Sequence, residues 1–164
     1  MDWEERREVT TKTRRTQSAQ WTGTEEEQET AKARRTQRKK MEEKEEAAAK
    51  QLIGAAIGVH KELGPGYHEP LYEEALAIEL GLRQISYSRQ RPFAVDYKGY
   101  KVGQGRLDLL VDECVIVDLK TVESLAPVHL AQMLSYLKAM KLRLGLIINF
   151  NVPLLKEGIR RVVL

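Results

Sequence analysis

The sequence predicts an α/β domain, a mixed sheet flanked by helices, behind a charged N-terminal tail that is largely disordered or helical. Three observations predict it. Two alternating apolar runs meet at a polar turn between Gly105 and Lys120, amphipathic helical stripes lie on either side of them, and Leu144 to Ile148 is a wholly apolar run of the kind found in strands covered on both faces.

The tail is read from composition. Residues 1–50 hold thirteen Lys/Arg, twelve Asp/Glu, both tryptophans (Trp3 and Trp21) and almost no aliphatic side chains. Such a segment buries too little apolar surface to offset its chain entropy, so the expected division is a tail over 1–50 and a folded domain over 51–164. Thr11 to Gln17 recurs in slightly altered form as Ala31 to Gln37, which suggests duplication and not a solenoid. From Arg38 to Lys50, opposite charges four apart favour a solvated helix running into an apolar helix over 52–63.

The remaining elements follow in order. Gly64, Pro65 and Gly66 end the first helix, and a second carries an apolar stripe of Leu71, Ala75, Ile78 and Leu82. A strand near Ser86 to Tyr97 turns at Lys98-Gly99 into a short strand, followed by the strands of Asp108 and Asp118. Next come a helix capped by Ser124, with Leu130, Leu134 and Leu137 facing the core, a buried strand over 143–150 and a last strand over 159–164.

The hairpin fixes a juxtaposition. If Leu107, Leu109 and Val111 share a core face with Val115, Val117 and Leu119, the loop holds an odd number of residues, most simply Asp112, Glu113 and Cys114. That register pairs Val111 with Val115, Leu109 with Val117 and Asp108 with Asp118. Two opposed carboxylates repel unless a positive charge joins them. A divalent cation such as Mg²⁺ or Mn²⁺ suits carboxylate oxygens, and Lys120, on the face of Asp118, can stabilise a developing oxyanion. The plainer alternative is a polar strand face with Lys120 as an ordinary ion-pair partner.

Gly66, Glu69 and Tyr72 stand at the spacing of a Gly-x-x-Glu-x-x-Tyr motif, upstream of Asp108 and of Asp118-x-Lys120. On these motifs, in this order, the chain from about 51 to 164 resembles the GxxExxY family of the PD-(D/E)XK nuclease superfamily. The resemblance implies a restriction-endonuclease-like core in which Glu69, Asp108 and Asp118 surround a divalent metal and Lys120 completes the catalytic set. Asp118 stands where Glu is the commoner acid. Gln132 and Tyr136 are similar to a Gln-x-x-x-Tyr element bordering the active site in the exonuclease-like branch, which implies that Gln132 holds the scissile phosphate or a water and that Tyr136 contacts DNA. Arg106 and Tyr72 are further nucleic-acid candidates. Each has a bland reading beside it: Glu69 as a first-turn acid favoured by the helix dipole, Tyr136 as core, Gln132 as surface. Glu73 reads as a surface acid.

His60 falls in an apolar helical stripe and reads as a packed residue, and His68 as exposed. Three histidines and the single Cys114 give no zinc spacing, no Cys-His nucleophile pair and no disulfide within the chain. No Walker-type loop points to ATP. The absence of an apolar span or a signal-peptide pattern argues against a membrane, and with the free thiol it leads to a cytoplasmic expectation.

Residues 51–164 carry fourteen basic and twelve acidic side chains, a net +2 that is mild for a nucleic-acid binder, but acids committed to metal would leave Arg83, Arg89, Arg91, Lys98, Lys101 and Arg106 to meet phosphates. Two functions compete. One is a metal-dependent nuclease acting on nucleic acid, DNA foremost. The other is a catalytically idle nucleic-acid-binding or protein-interaction module on the same fold. A homo-oligomer or a protein partner engaged through the tail is a further expectation.

Overall fold

A computed structural model describes residues 24–164, so Trp3, Trp21 and the first copy of the tail repeat lie outside the described residues. The chain divides into two units at Gln37/Arg38. In the first, the described residues are helical and exposed, and their start is set by reciprocal caps: Glu27 N–H donates to Thr24 Oγ1 at 3.4 Å and Thr24 N–H to Glu27 Oε2 at 2.9 Å.

The elements are α1 (Glu25–Leu63), α2 (Glu69–Leu82), β1 (Tyr87–Tyr97), β2 (Tyr100–Val111), β3 (Val115–Lys120), α3 (Pro127–Met140), β4 (Leu144–Asn149), α4 (Leu155–Gly158) and β5 (Ile159–Val163). The strands form one five-stranded sheet in chain order. Only β3 and β4 run parallel, because α3 carries the chain across between them; every other pair is antiparallel. The expected mixed sheet flanked by helices is the architecture found.

Two cores sandwich the sheet. On one face, Leu52, Ala56, Tyr72, Leu76 and Leu80 pack with Leu109, Val117, Leu119 and Ile148. On the other, Met133 and Leu137 of α3 pack with Leu107, Leu110, Ile116 and Ile147. The central strands β3 and β4 are buried along almost their whole length, as their apolar runs require. Gly145 lets α3 approach, since a Cβ there would collide with the Met133 side chain. Ala48 and Ala49 of α1 are already in the first core, and Glu45 is buried beside Arg143.

Several expectations need correction. The α2 stripe of Leu71, Ile78 and Leu82 is exposed, and the buried stripe is Tyr72, Leu76, Ala77 and Leu80. The short strand after the Lys98-Gly99 turn and the Asp108 strand are one twelve-residue strand, β2. Leu107 does not share a face with Leu109. The β1–β2 ladder pairs Arg91 with Leu107 and Arg89 with Leu109 but skips the position between, where Gln90 has φ +51°, and the alternation flips there. On α3, Leu130 is exposed, Met133 takes the buried place, and the N-cap position is Ala126 and not Ser124.

Candidate active site

The β2–β3 turn has the expected register. Val111 pairs with Val115 and Leu109 with Val117 across Asp112, Glu113 and Cys114. Asp112 and Glu113 take φ of +50° and +57°, and Cys114 N–H donates to Val111 O at 3.0 Å. The ladder stops at Leu109/Val117, just short of the two acids. There Leu119 N–H donates to Asp108 Oδ2 at 2.8 Å, so the Asp108 side chain stands in for a backbone acceptor and is held beside the Asp118 strand.

Asp118 and Lys120 project from the same side of β3, as residues two apart must. Lys120 Nζ lies 2.8 Å from Asp118 Oδ2 and also donates to Leu119 O at 3.0 Å. Asp118 Oδ2 is otherwise buried, and the Lys120 ammonium is its charged neighbour within ion-pair distance.

Glu69, in the first turn of α2, lies within electrostatic range of Lys120, Asp108 and Asp118. The chain arrives there through Gly64 and Gly66, at φ +68° and +109°, conformations that glycine adopts without strain. Gly64 N–H donates to His60 O at 2.9 Å to end α1, and Tyr72 Oη donates to Gly64 O at 2.6 Å, fastening the loop to α2. This local chemistry aims the N-terminus of α2 at the end of β3.

The electrostatics bind the four groups together. Burial raises the Glu69 carboxyl above its ordinary range; Lys120 opposes the rise, and the charges of Asp108, Asp118 and Glu73 add to it. Burial likewise raises Asp108, against the pull of the Leu119 N–H, with Asp118 pushing the same way. For Lys120, burial favours the neutral amine, but contact with Asp118 and the charges of Glu69 and Asp108 outweigh it, so its pKa is raised. Lys120 is an ammonium at neutral pH.

The other predicted residues fall elsewhere. Gln132 Nε2 donates to Tyr136 Oη in a short contact, and the Tyr136 ring meets Phe93 of β1 edge to face at 5.1 Å. Arg106 is exposed on β2, opposite Pro92. Tyr72 is corrected: it is fully buried, stacked on Phe150 at 4.4 Å, and its ring is inaccessible to nucleic acid. Glu73 is not a plain surface acid, since its carboxylate takes Arg89 Nε at 3.0 Å and Gln90 Nε2 at 2.7 Å beside the cluster. Arg83, Arg89 and Arg91 are engaged by Glu79, by Glu73 and Glu74, and by Glu113. His60 is packed as expected, its Nε2–H donating to Val152 O at 2.8 Å, and His68 is exposed.

One residue escaped the sequence reading. Asn149, paired with Lys120 across β3–β4, is buried; its Oδ1 accepts from Val122 N–H at 3.1 Å and its Nδ2 donates to Val122 O at 2.8 Å. It pins the backbone just beyond Lys120. Its signal was a lone amide closing a wholly apolar strand, where an unpartnered polar group would be costly.

The acids do not form a closed cage: among the described residues no three His, Cys, Asp or Glu side chains converge as a metal-holding group. No helix of the described residues is long and apolar enough to cross a membrane. No curated protein and no solved structure matches the chain. A family profile does match, over residues 46–162, and that span includes Glu69, both aspartates of the β2–β3 hairpin and Lys120. A match over well over half of the sequence decides the family, and the chain belongs to the PD-(D/E)XK nuclease superfamily.

Proposed function

We propose that this chain hydrolyses phosphodiester bonds in nucleic acid, DNA foremost, using Mg²⁺ or Mn²⁺ held by Asp108 and Asp118 with Glu69. The observation that carries the reading is the buried Asp118 carboxylate, whose Oδ2 is answered by the Lys120 ammonium at 2.8 Å, with two further acids, both raised by burial, in electrostatic range. Desolvated carboxylates side by side cost stability, and hard oxygen donors of this kind suit a small divalent cation. When bound, such a cation polarises a phosphoryl oxygen and makes water a better nucleophile.

The chain's own groups divide the remaining work. Lys120, a persistent ammonium, is unsuited to accept a proton and suited to stabilise negative charge growing on the phosphate. The Leu119 N–H fixes the orientation of Asp108, and Asn149 holds the backbone that follows Lys120. Gln132, tied to Tyr136, would act on the substrate from α3. The Gly66, Glu69 and Tyr72 spacing makes the GxxExxY family the narrower assignment, and the buried free thiol of Cys114 suits a reducing compartment such as the cytoplasm.

A catalytically idle module is the second reading, favoured by the Lys120–Asp118 ion pair, which gives Asp118 a counter-charge without a cation. Cleavage of linear, circular and single-stranded DNA and of RNA separates the two, alongside melting with and without Mn²⁺. The nuclease reading expects metal-dependent cleavage that Asp118→Asn and Lys120→Ala abolish, and a metal-induced rise in melting temperature that Asp108→Asn removes. No cleavage together with no metal-induced shift leaves the idle module.

A further inference from the structure

The β1–β2 hairpin outruns the body of the protein. Beyond Phe93, the last buried residue of β1, every residue from Ala94 to Gln104 is exposed, so the two strands continue as a free ribbon closed at Lys98-Gly99. The turn holds φ of +51° and +85°, the left-handed pair of a type I′ hairpin, and sets Tyr97 directly opposite Tyr100. These two rings are 61% and 76% exposed. Folding gains little from them there.

The base of the ribbon meets α3 through Phe93 and Tyr136. Along β1, Phe93, Val95 and Tyr97 stand at alternate positions; the ladder to β2 shifts register between Val95 and Asp96, where Val102 has no partner, and beyond the shift Tyr97 pairs with Tyr100. Phe93 packs over Gly105 and meets the Tyr136 ring, whose hydroxyl accepts from the Gln132 amide. Aromatic rings thus stand at both ends of the ribbon, Tyr136 and Phe93 at its base and Tyr97 and Tyr100 at its tip, with Tyr97 about 13 Å along the strand from Phe93. Cations accompany it: Lys98 Nζ sits 5.3 Å from the centre of the Tyr97 ring, and Lys101 and Arg106 are exposed on β2, against the single acid Asp96. Pro92 on edge strand β1 and the charged Arg89 and Arg91 beside it discourage another strand from adding there.

We propose that this ribbon is a nucleic-acid arm that takes a strand with unpaired bases, stacking them on Tyr97 and Tyr100 while Lys98 and Lys101 meet its phosphates. Exposed aromatic rings on strands with nearby cations are the chemistry that holds unstacked bases without regard to sequence. The arm rests on the nucleic-acid reading of the acid cluster but not on its catalysis, so the two are tested separately. Binding is measured in chelator, in an Asp118→Asn background, with a labelled single strand of about 20 nucleotides, longer than one such platform covers.

The Tyr97→Ser/Tyr100→Ser pair should weaken single-strand binding about tenfold or more, with unchanged melting, while Tyr97→Phe/Tyr100→Phe retains it. Lys98→Gln/Lys101→Gln should flatten the slope of log affinity against log salt by about 1.4, the share of two phosphate contacts on a single strand. Equal affinity in the serine pair overturns the arm. So does a loss confined to duplex of the same length, or a change in oligomeric state with binding intact, which would make the ribbon a protein interface. Cleavage by the protein with Asp118 and the ribbon both intact keeps the nuclease apart: binding through the arm without any cleavage sinks only the catalytic reading.

Discussion

Asp108 carries two opposed constraints. Its Oδ2 is fastened to the Leu119 N–H, yet burial and the charge of Asp118 make its ionised form unwelcome. Asparagine keeps the acceptor and removes the charge, so Asp108→Asn should stabilise the metal-free protein at neutral pH by about 1 kcal/mol, read as a rise of a few degrees in melting temperature. The pH dependence has a definite sign. A carboxyl raised in the fold makes the native state bind more protons than the unfolded chain between the two pKa values, so its contribution worsens as pH rises through that window. The advantage of Asp108→Asn over wild type should therefore shrink as pH falls below the raised value. Urea melts in chelator from about pH 7 down to 4 check it; an advantage that grows on acidification would contradict the burial of this charge. Glu42 and Glu46, lowered by their arginines, titrate with the opposite sign in both proteins and cancel in the difference.

At the scale of the element, α2 shows what periodicity can and cannot decide. Leu71, Ala75, Ile78 and Leu82 make an apolar stripe as convincing as Tyr72, Leu76 and Leu80, and spacing alone does not say which one meets the sheet. The choice falls to Tyr72, whose ring stacks on Phe150 while its hydroxyl reaches the Gly64 carbonyl. Tyr72→Phe should cost about 1 kcal/mol for the lost hydrogen bond, and Tyr72→Ala about 3–5 kcal/mol for the cavity. Leu71→Ser and Ile78→Ser, on the exposed stripe, should stay within about 0.5 kcal/mol of wild type. Denaturant melts of the four variants that reversed this ranking would reject the assignment of faces. The β2–β3 hairpin was legible for the converse reason: Leu109, Val111, Val115 and Val117 admit one register, and that register brings Asp108 and Asp118 to adjacent strands. Leu107 was not, because the skipped position at Gln90 breaks the alternation and leaves no trace in apolar pattern.

For the molecule as a whole, the question is where the folded body begins. Composition drew the line after residue 50, since charge dominates everything before it. The structure commits part of that stretch to the fold. Ala48 and Ala49 are buried against the sheet, Arg143 at the start of β4 reaches Glu42 and Glu45, and Arg161 of β5 lies 2.7 Å from Glu46. Small alanines among charges are easily read as solvated helix, and the arginines that answer those charges lie about a hundred residues downstream, beyond any local pattern. A chain beginning at residue 38, where the second unit starts, should melt like the whole protein. One beginning at residue 51 uncovers the core beside Leu52 and leaves Arg143 without Glu42 and Glu45, and should lose at least about 2 kcal/mol. Equal urea midpoints for the two truncations would mean that the C-terminal half of α1 is held by its own helicity and not by the sheet it covers. The difference is expected because Glu42, Glu45, Glu46, Ala48 and Ala49, all on the tail side of the line drawn from composition, contribute to the packing and ion pairs of that half against the body.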